Sequence, residues 1–169
     1  MLPNPLHPSV VHFPIVFMAL LPIIAAFVMW RLHDGARLRA WGYVALTAAL
    51  VVGSGWLATR TGENEEDTVE RVVAEDAIHA HEEAAETFLL AAWVVLGLAV
   101  VGFAPGLVGR GARWLAFLGS VALVGLGWRV GDLGGKLVYE HGAASAYAQP
   151  AAGGAQAVGA EEDREDDGR

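Results

Sequence analysis

Cysteine is absent from the 169 residues, which excludes disulfides, thiolate metal sites, iron–sulfur clusters and the C-x-x-C-H attachment of c-type haem. Any cofactor must then be held by histidine, carboxylate or backbone. Basic charge is scarce too: 11 Lys and Arg stand against 19 Asp and Glu, a net charge of -8. That balance argues against nucleic acid as a partner and offers anionic lipid no basic patch. Before Arg31 there is no Lys or Arg at all, so residues 1–8, with three prolines, lack the basic start of a signal peptide, and no A-x-A-like site follows. Phosphate loops, a G-x-S-x-G elbow and a thiol nucleophile are missing as well. Without them the chain is expected not to be an enzyme on its own.

What the chain has instead is apolar length. The hydrophobic share is 54% and the mean hydropathy +0.42, too high for a soluble domain of this size and natural for one dissolved in a bilayer. Charge-free runs place three spans at about 13–30, 40–59 and 88–109, and a fourth, built on the uncharged stretch 114–128, is expected at about 112–133, each close to the ~20 residues that cross hydrocarbon. Pro22 falls mid-helix, cannot donate to the carbonyl of Met18, and predicts a kink. Trp41 and Trp56 stand where aromatic belts form. Trp114 to Trp128 alone is too short to cross, so the fourth helix must continue through Arg129 and Asp132, which can pair at i, i+3 and would face the bundle interior. Gly127, Gly131 and Gly135 repeat every four residues and predict close helix packing.

The negative charge concentrates in two places. Ten Asp and Glu against two Arg lie between Arg60 and Thr87, and six against two between Glu161 and Arg169. In the first, helical spacing puts Val69, Val73, Ala77, Ala80, Ala84 and Phe88 on one face and Glu75, Glu83 and Glu86 on another. It reads as an amphipathic helix leading into the third span. The second belongs to an Ala-, Gly- and acid-rich tail, residues 144–169, expected to be disordered. The fold expected is all-α: a four-transmembrane-helix bundle over residues 1–143, with an amphipathic helix before the third span and a disordered acidic C-terminal tail.

Four spans return the chain to its starting side, so His7, His12, His79, His81 and His141 share one membrane face, and His33 lies alone on the other. His81 falls at the edge of the apolar stripe and His79 among the glutamates. His12 projects with Val16, Ala19, Ile23 and Ala26, small residues that leave room beside it. His12, His81 and His141 are the expected cofactor or metal ligands, His7 is a fourth candidate, and Arg129 is a partner for haem propionates. A b-type haem suits this set, since it needs no cysteine and takes axial histidine. A Zn, Cu or Fe site of His ligands is the alternative, and a structural or assembly subunit with no cofactor is the third reading. The denser arginines of the short connectors favour those as cytoplasmic, which puts both termini and the histidine face outside.

Leu6-His7-Pro8 with Val11-His12-Phe13-Pro14-Ile15, His81-Glu82, and Gly134-Gly135-Lys136-Leu137-Val138-Tyr139-Glu140-His141-Gly142 together resemble the bacterial membrane family called domain of unknown function 2231, over about residues 6–143. The resemblance implies four membrane helices in an inner-membrane-type protein. It marks His7, His12, His81, Gly134, Gly135, Tyr139 and His141. Some relatives are joined to c-type cytochrome domains, which implies redox work beside a c-type cytochrome or another redox partner. Relatives often read Gly-His-Leu-Gly-Gly where this chain has Gly131-Asp132-Leu133-Gly134-Gly135.

Overall fold

A computed structural model describes residues 5–31 and 38–147. Within them the chain is all-helical. A one-turn helix α1 (His7–Val10) leads into α2 (His12–Arg31), and a 3-10 turn at Leu38–Ala40 opens α3 (Trp41–Glu63). A second short helix, α4 (Glu66–Val69), precedes α5 (Glu75–Val101) and α6 (Gly106–Tyr139), and a 3-10 turn at Ala143–Tyr147 ends the described chain. With α1 counted into α2 and the first 3-10 turn into α3, four helices are long and apolar enough to cross a membrane. The expected acidic tail lies outside the described residues except for 144–147, which are part of the closing 3-10 turn. His33 also lies outside them.

The four long helices pack as an up-and-down ring, α2 against α3 and α6, and α5 against α3 and α6. Apolar burial cannot drive helices together inside lipid, so close approach by small residues does. Accordingly Ala25, Ala48, Ala92, Ala99 and Ala116 lie in the core beside Leu21, Val44, Val51 and Leu123. Phe13, Ile23, Tyr43, Leu90, Leu107 and Trp128 stand exposed around the outside, a surface that suits lipid. Helix α2 runs through Pro22 as one element.

Trp41 departs from its expected place in an aromatic belt. It is fully buried, and its indole N–H donates to the Ala99 carbonyl at 2.7 Å. Ala99 is in the last turn of α5, where helical carbonyls lack a partner of their own, and Arg113 from α6 donates to the next such carbonyl, Gly102. Trp56, by contrast, is half exposed, with the Arg60 guanidinium 5.6 Å over its ring.

Two further expectations are corrected at the other end. Asp132 pairs with Lys136 at 2.7 Å rather than with Arg129, and all three are on the outer surface or its edge. The i, i+4 partner one turn on satisfies Asp132 within water's reach, so no interior pair is needed. Of the glycines at 127, 131 and 135, only Gly127 meets a neighbouring helix, against Met18 and Phe88; the other two face open space. The helix runs on through Gly134 and Gly135. It stops after Tyr139, where Glu140 and His141 both donate to the Lys136 carbonyl and Gly142, at φ +73°, turns the chain away.

Candidate functional site

The end of the bundle that carries the N-terminus also holds the α3–α5 connection and the end of α6. Glu75, Asp76, Glu82, Glu83 and Glu86 on α5 and Arg129, Asp132 and Lys136 on α6 require water around these last turns. They enclose a small second core of Val73, Ile78 and Ala143, with Val69, Ala77 and Leu137 against it. This end therefore stands proud of the hydrocarbon as a cap on the four helices.

Two of the expected histidines meet in this cap. The rings of His7 and His81 lie 6.4 Å apart, centroid to centroid, with planes at 88°. His7 is oriented by its surroundings. Its Nδ1–H donates to the Ala58 carbonyl at 2.9 Å and also reaches Thr61 Oγ1 at 3.2 Å, while the Thr61 hydroxyl itself donates to Ala58. A carbonyl can only accept, so Nδ1 carries the proton, and in the neutral ring Nε2 is left with its lone pair. The backbone of His7 is held just as firmly. Glu65 Oε1 accepts from Leu6 N–H at 2.6 Å and from His7 N–H at 3.0 Å, and Glu65 Oε2 accepts from the Tyr147 hydroxyl at 3.2 Å. One carboxylate thus joins the start of α1, the corner between α3 and α4, and the closing 3-10 turn.

His81 sits differently. Its Nδ1 is enclosed and has no hydrogen-bond partner among the described residues. Glycines bring both rings against helix backbone. A Cβ at Gly134 would stand 3.1 Å from His81 Cε1, and one at Gly62 3.3 Å from His7 Cε1. Any side chain at either position would push the rings.

The other expected ligands lie outside this contact. His12 is exposed, on the same outward face as Val16, Ala19, Ile23 and Ala26. His141 is exposed just past the end of α6, and Arg129 is exposed on the outer side of α6. His79 is in water as its helical angle predicts, with Glu75 at 3.2 Å and Glu82 at 3.3 Å. Among the described residues no group of three or more His, Asp or Glu stands close enough to hold a metal by itself. Sequence reasoning missed Glu65, Thr61, Gly62 and Tyr147. Glu65 is one acid among ten in its stretch, and nothing in its spacing distinguishes it.

Tyr147 shows the electrostatics of the latch. Burial and the neighbouring Glu65 carboxylate push its phenol up from the usual 10.0 to about 12, because ionisation would set phenolate against carboxylate.

No curated protein and no solved structure matches the chain. The family model described as a predicted membrane protein, DUF2231, matches residues 3–146 and so takes in α1 to α6, the histidine pair, and Glu65 with the backbone amides it binds, stopping one residue short of Tyr147; the chain belongs to that family.

Proposed function

We propose that the protein is a metal-binding redox component of the membrane, in which His7 and His81 give two imidazole ligands to one transition-metal ion at the capped end of the bundle. The observation that carries this reading is the enclosed His81 Nδ1, without a partner, beside a second histidine whose own Nδ1–H is committed to a carbonyl. Buried polar atoms without partners are rare and costly, and a metal ion turns this one into a ligand. A carbonyl on the far nitrogen is the usual way of orienting a ligating histidine and raising its basicity. Two metal–nitrogen bonds of about 2.0–2.1 Å plus the half-widths of two imidazoles come to about 6 Å, against the 6.4 Å between these rings.

Imidazole donors suit copper, iron or zinc, and redox work favours the first two. With only two ligands in reach among the described residues, water or a small exogenous ligand completes the coordination, which is the open form of a reactive centre. A b-type haem is the second reading, supported by the same ring spacing, with the pair as axial ligands. It is the less favoured of the two, because Gly62 and Gly134 are covered by the imidazoles themselves and leave no open cradle there for a macrocycle. The acidic surface beside the pair suits a basic soluble redox partner such as a c-type cytochrome, and the arginine-rich short connectors favour this face as the outer one.

The test is elemental analysis with oxidised and reduced absorption spectra on protein purified in mild detergent. Stoichiometric copper or iron without a haem spectrum is expected. His7→Ala and His81→Ala should each lower metal retention by about tenfold or more while the helical circular dichroism persists. A reduced b-type band would establish the haem form instead. Wild-type protein with neither metal nor haem would overturn both and leave the pair as a packing contact between α1 and α5.

A further inference from the structure

A second site lies on the outside of the bundle, where α5 and α6 meet just above the hydrocarbon. A shallow cleft there is lined by Glu83, Ala84 and Thr87 from α5 and by Leu126 and Arg129 from α6. Its polar groups are unspent. Among the described residues Arg129 has no hydrogen bond or ion pair and neither does Glu83, although both line the same cleft. Ala84 is buried and Leu126 partly buried, so the floor is apolar, while Glu83, Thr87 and Arg129 are exposed at the rim.

Depth makes this cleft informative. From Gly106 to Arg129 the rise at about 1.5 Å per residue is about 34 Å, just over the ~30 Å of hydrocarbon. From Arg113 to Arg129 it is only about 24 Å, so the two arginines bracket the uncharged stretch 114–128, and one without a partner in the protein must reach outward to phosphate level. Arg113 is tied to the Gly102 carbonyl; Arg129 has no such partner among the described residues. Trp128, the most exposed of the tryptophans at 80%, stands beside it as an interfacial anchor.

We infer that this cleft binds the headgroup of a zwitterionic phospholipid, with Arg129 and the Thr87 hydroxyl on the phosphate, Glu83 on the headgroup ammonium, and an acyl chain descending over Leu126. A guanidinium alone would take any phospholipid phosphate. The carboxylate across the cleft adds a preference: it attracts the ammonium of phosphatidylethanolamine, which the neutral glycerol headgroup of phosphatidylglycerol lacks, leaving the carboxylate facing a net negative lipid.

The experiment uses full-length protein in nanodiscs of equal phosphatidylethanolamine and phosphatidylglycerol, extracted into mild detergent and read by native mass spectrometry. One retained phosphatidylethanolamine per chain is expected, favoured over phosphatidylglycerol by roughly fivefold to tenfold. Arg129→Gln should abolish retention of both lipids. Glu83→Gln should keep retention and lose the preference. Exposed positions such as these tolerate polar substitution, and unchanged thermal melting of both variants checks that the fold persists. Wild-type retention at the bulk lipid ratio, or equal retention by Arg129→Gln, would overturn the inference. Metal content in these variants should equal that of wild type, so the fate of this site is independent of the histidine pair.

Discussion

At Tyr147 a phenol stands 3.2 Å from a carboxylate already engaged by two backbone amides. Because the folded pKa is raised, the neutral phenol is what the folded state favours. Its contribution is fully present below the ordinary pKa of 10.0 and is lost as pH climbs from there through about 12. A near-ultraviolet titration of tyrosinate absorbance should show a late step that Tyr147→Phe removes and Glu65→Gln moves downward. If the late step survives Tyr147→Phe, the phenol is not the group that Glu65 holds. At this scale some of the site was readable in advance. A turn of 100° per residue separates His81 from His79, and the structure puts one at the cap interior and the other among glutamates. The role of Glu65 was not readable, because a carboxylate that binds backbone amides 59 and 58 residues away leaves no local pattern. For the same reason the pairing of His7 with His81, rather than with His12 or His141, depended on tertiary packing.

Among the elements, α5 illustrates how a helix end inside a membrane protein is completed by its neighbours. Its C-terminal carbonyls at Ala99 and Gly102 accept from Trp41 of α3 and Arg113 of α6, and lipid would offer them nothing. Trp41→Phe should therefore cost about 2–4 kcal/mol, a lost buried hydrogen bond together with a cavity. Thermal melting in detergent measures the loss, and amide exchange should accelerate over residues 98–103. A variant as stable as wild type would show that Ala99 has another donor. Element count, direction and approximate span positions followed from charge-free runs, since lipid punishes charge in every register. Which tryptophans face outward did not. Trp41 opens its run as Trp56 closes near its end, yet only Trp41 meets a carbonyl on a facing helix. Helix α6 runs through Gly134 and Gly135 to Tyr139, with Gly134 occupied in receiving His81, a contact that no local pattern announces.

For the molecule as a whole, the two ends of the bundle are built on different principles. One is closed by short connectors and side chains donating to a helix end. The other is a hydrated cap with its own small core, where the histidine pair sits and from which one carboxylate reaches both extremities of the described chain. Leu6 and Tyr147 bond the two oxygens of the same Glu65 side chain, so the two ends of the described chain are neighbours in space. A ring could therefore be made of it. Joining residue 147 to residue 5 through a short Gly-Ser segment, and reopening the chain at the tight bend 102–105, should yield a circular permutant that keeps the four-helix fold and the histidine contact. Its new termini would emerge on the opposite side of the bilayer, so the same protein could be tethered, tagged or fused from either compartment.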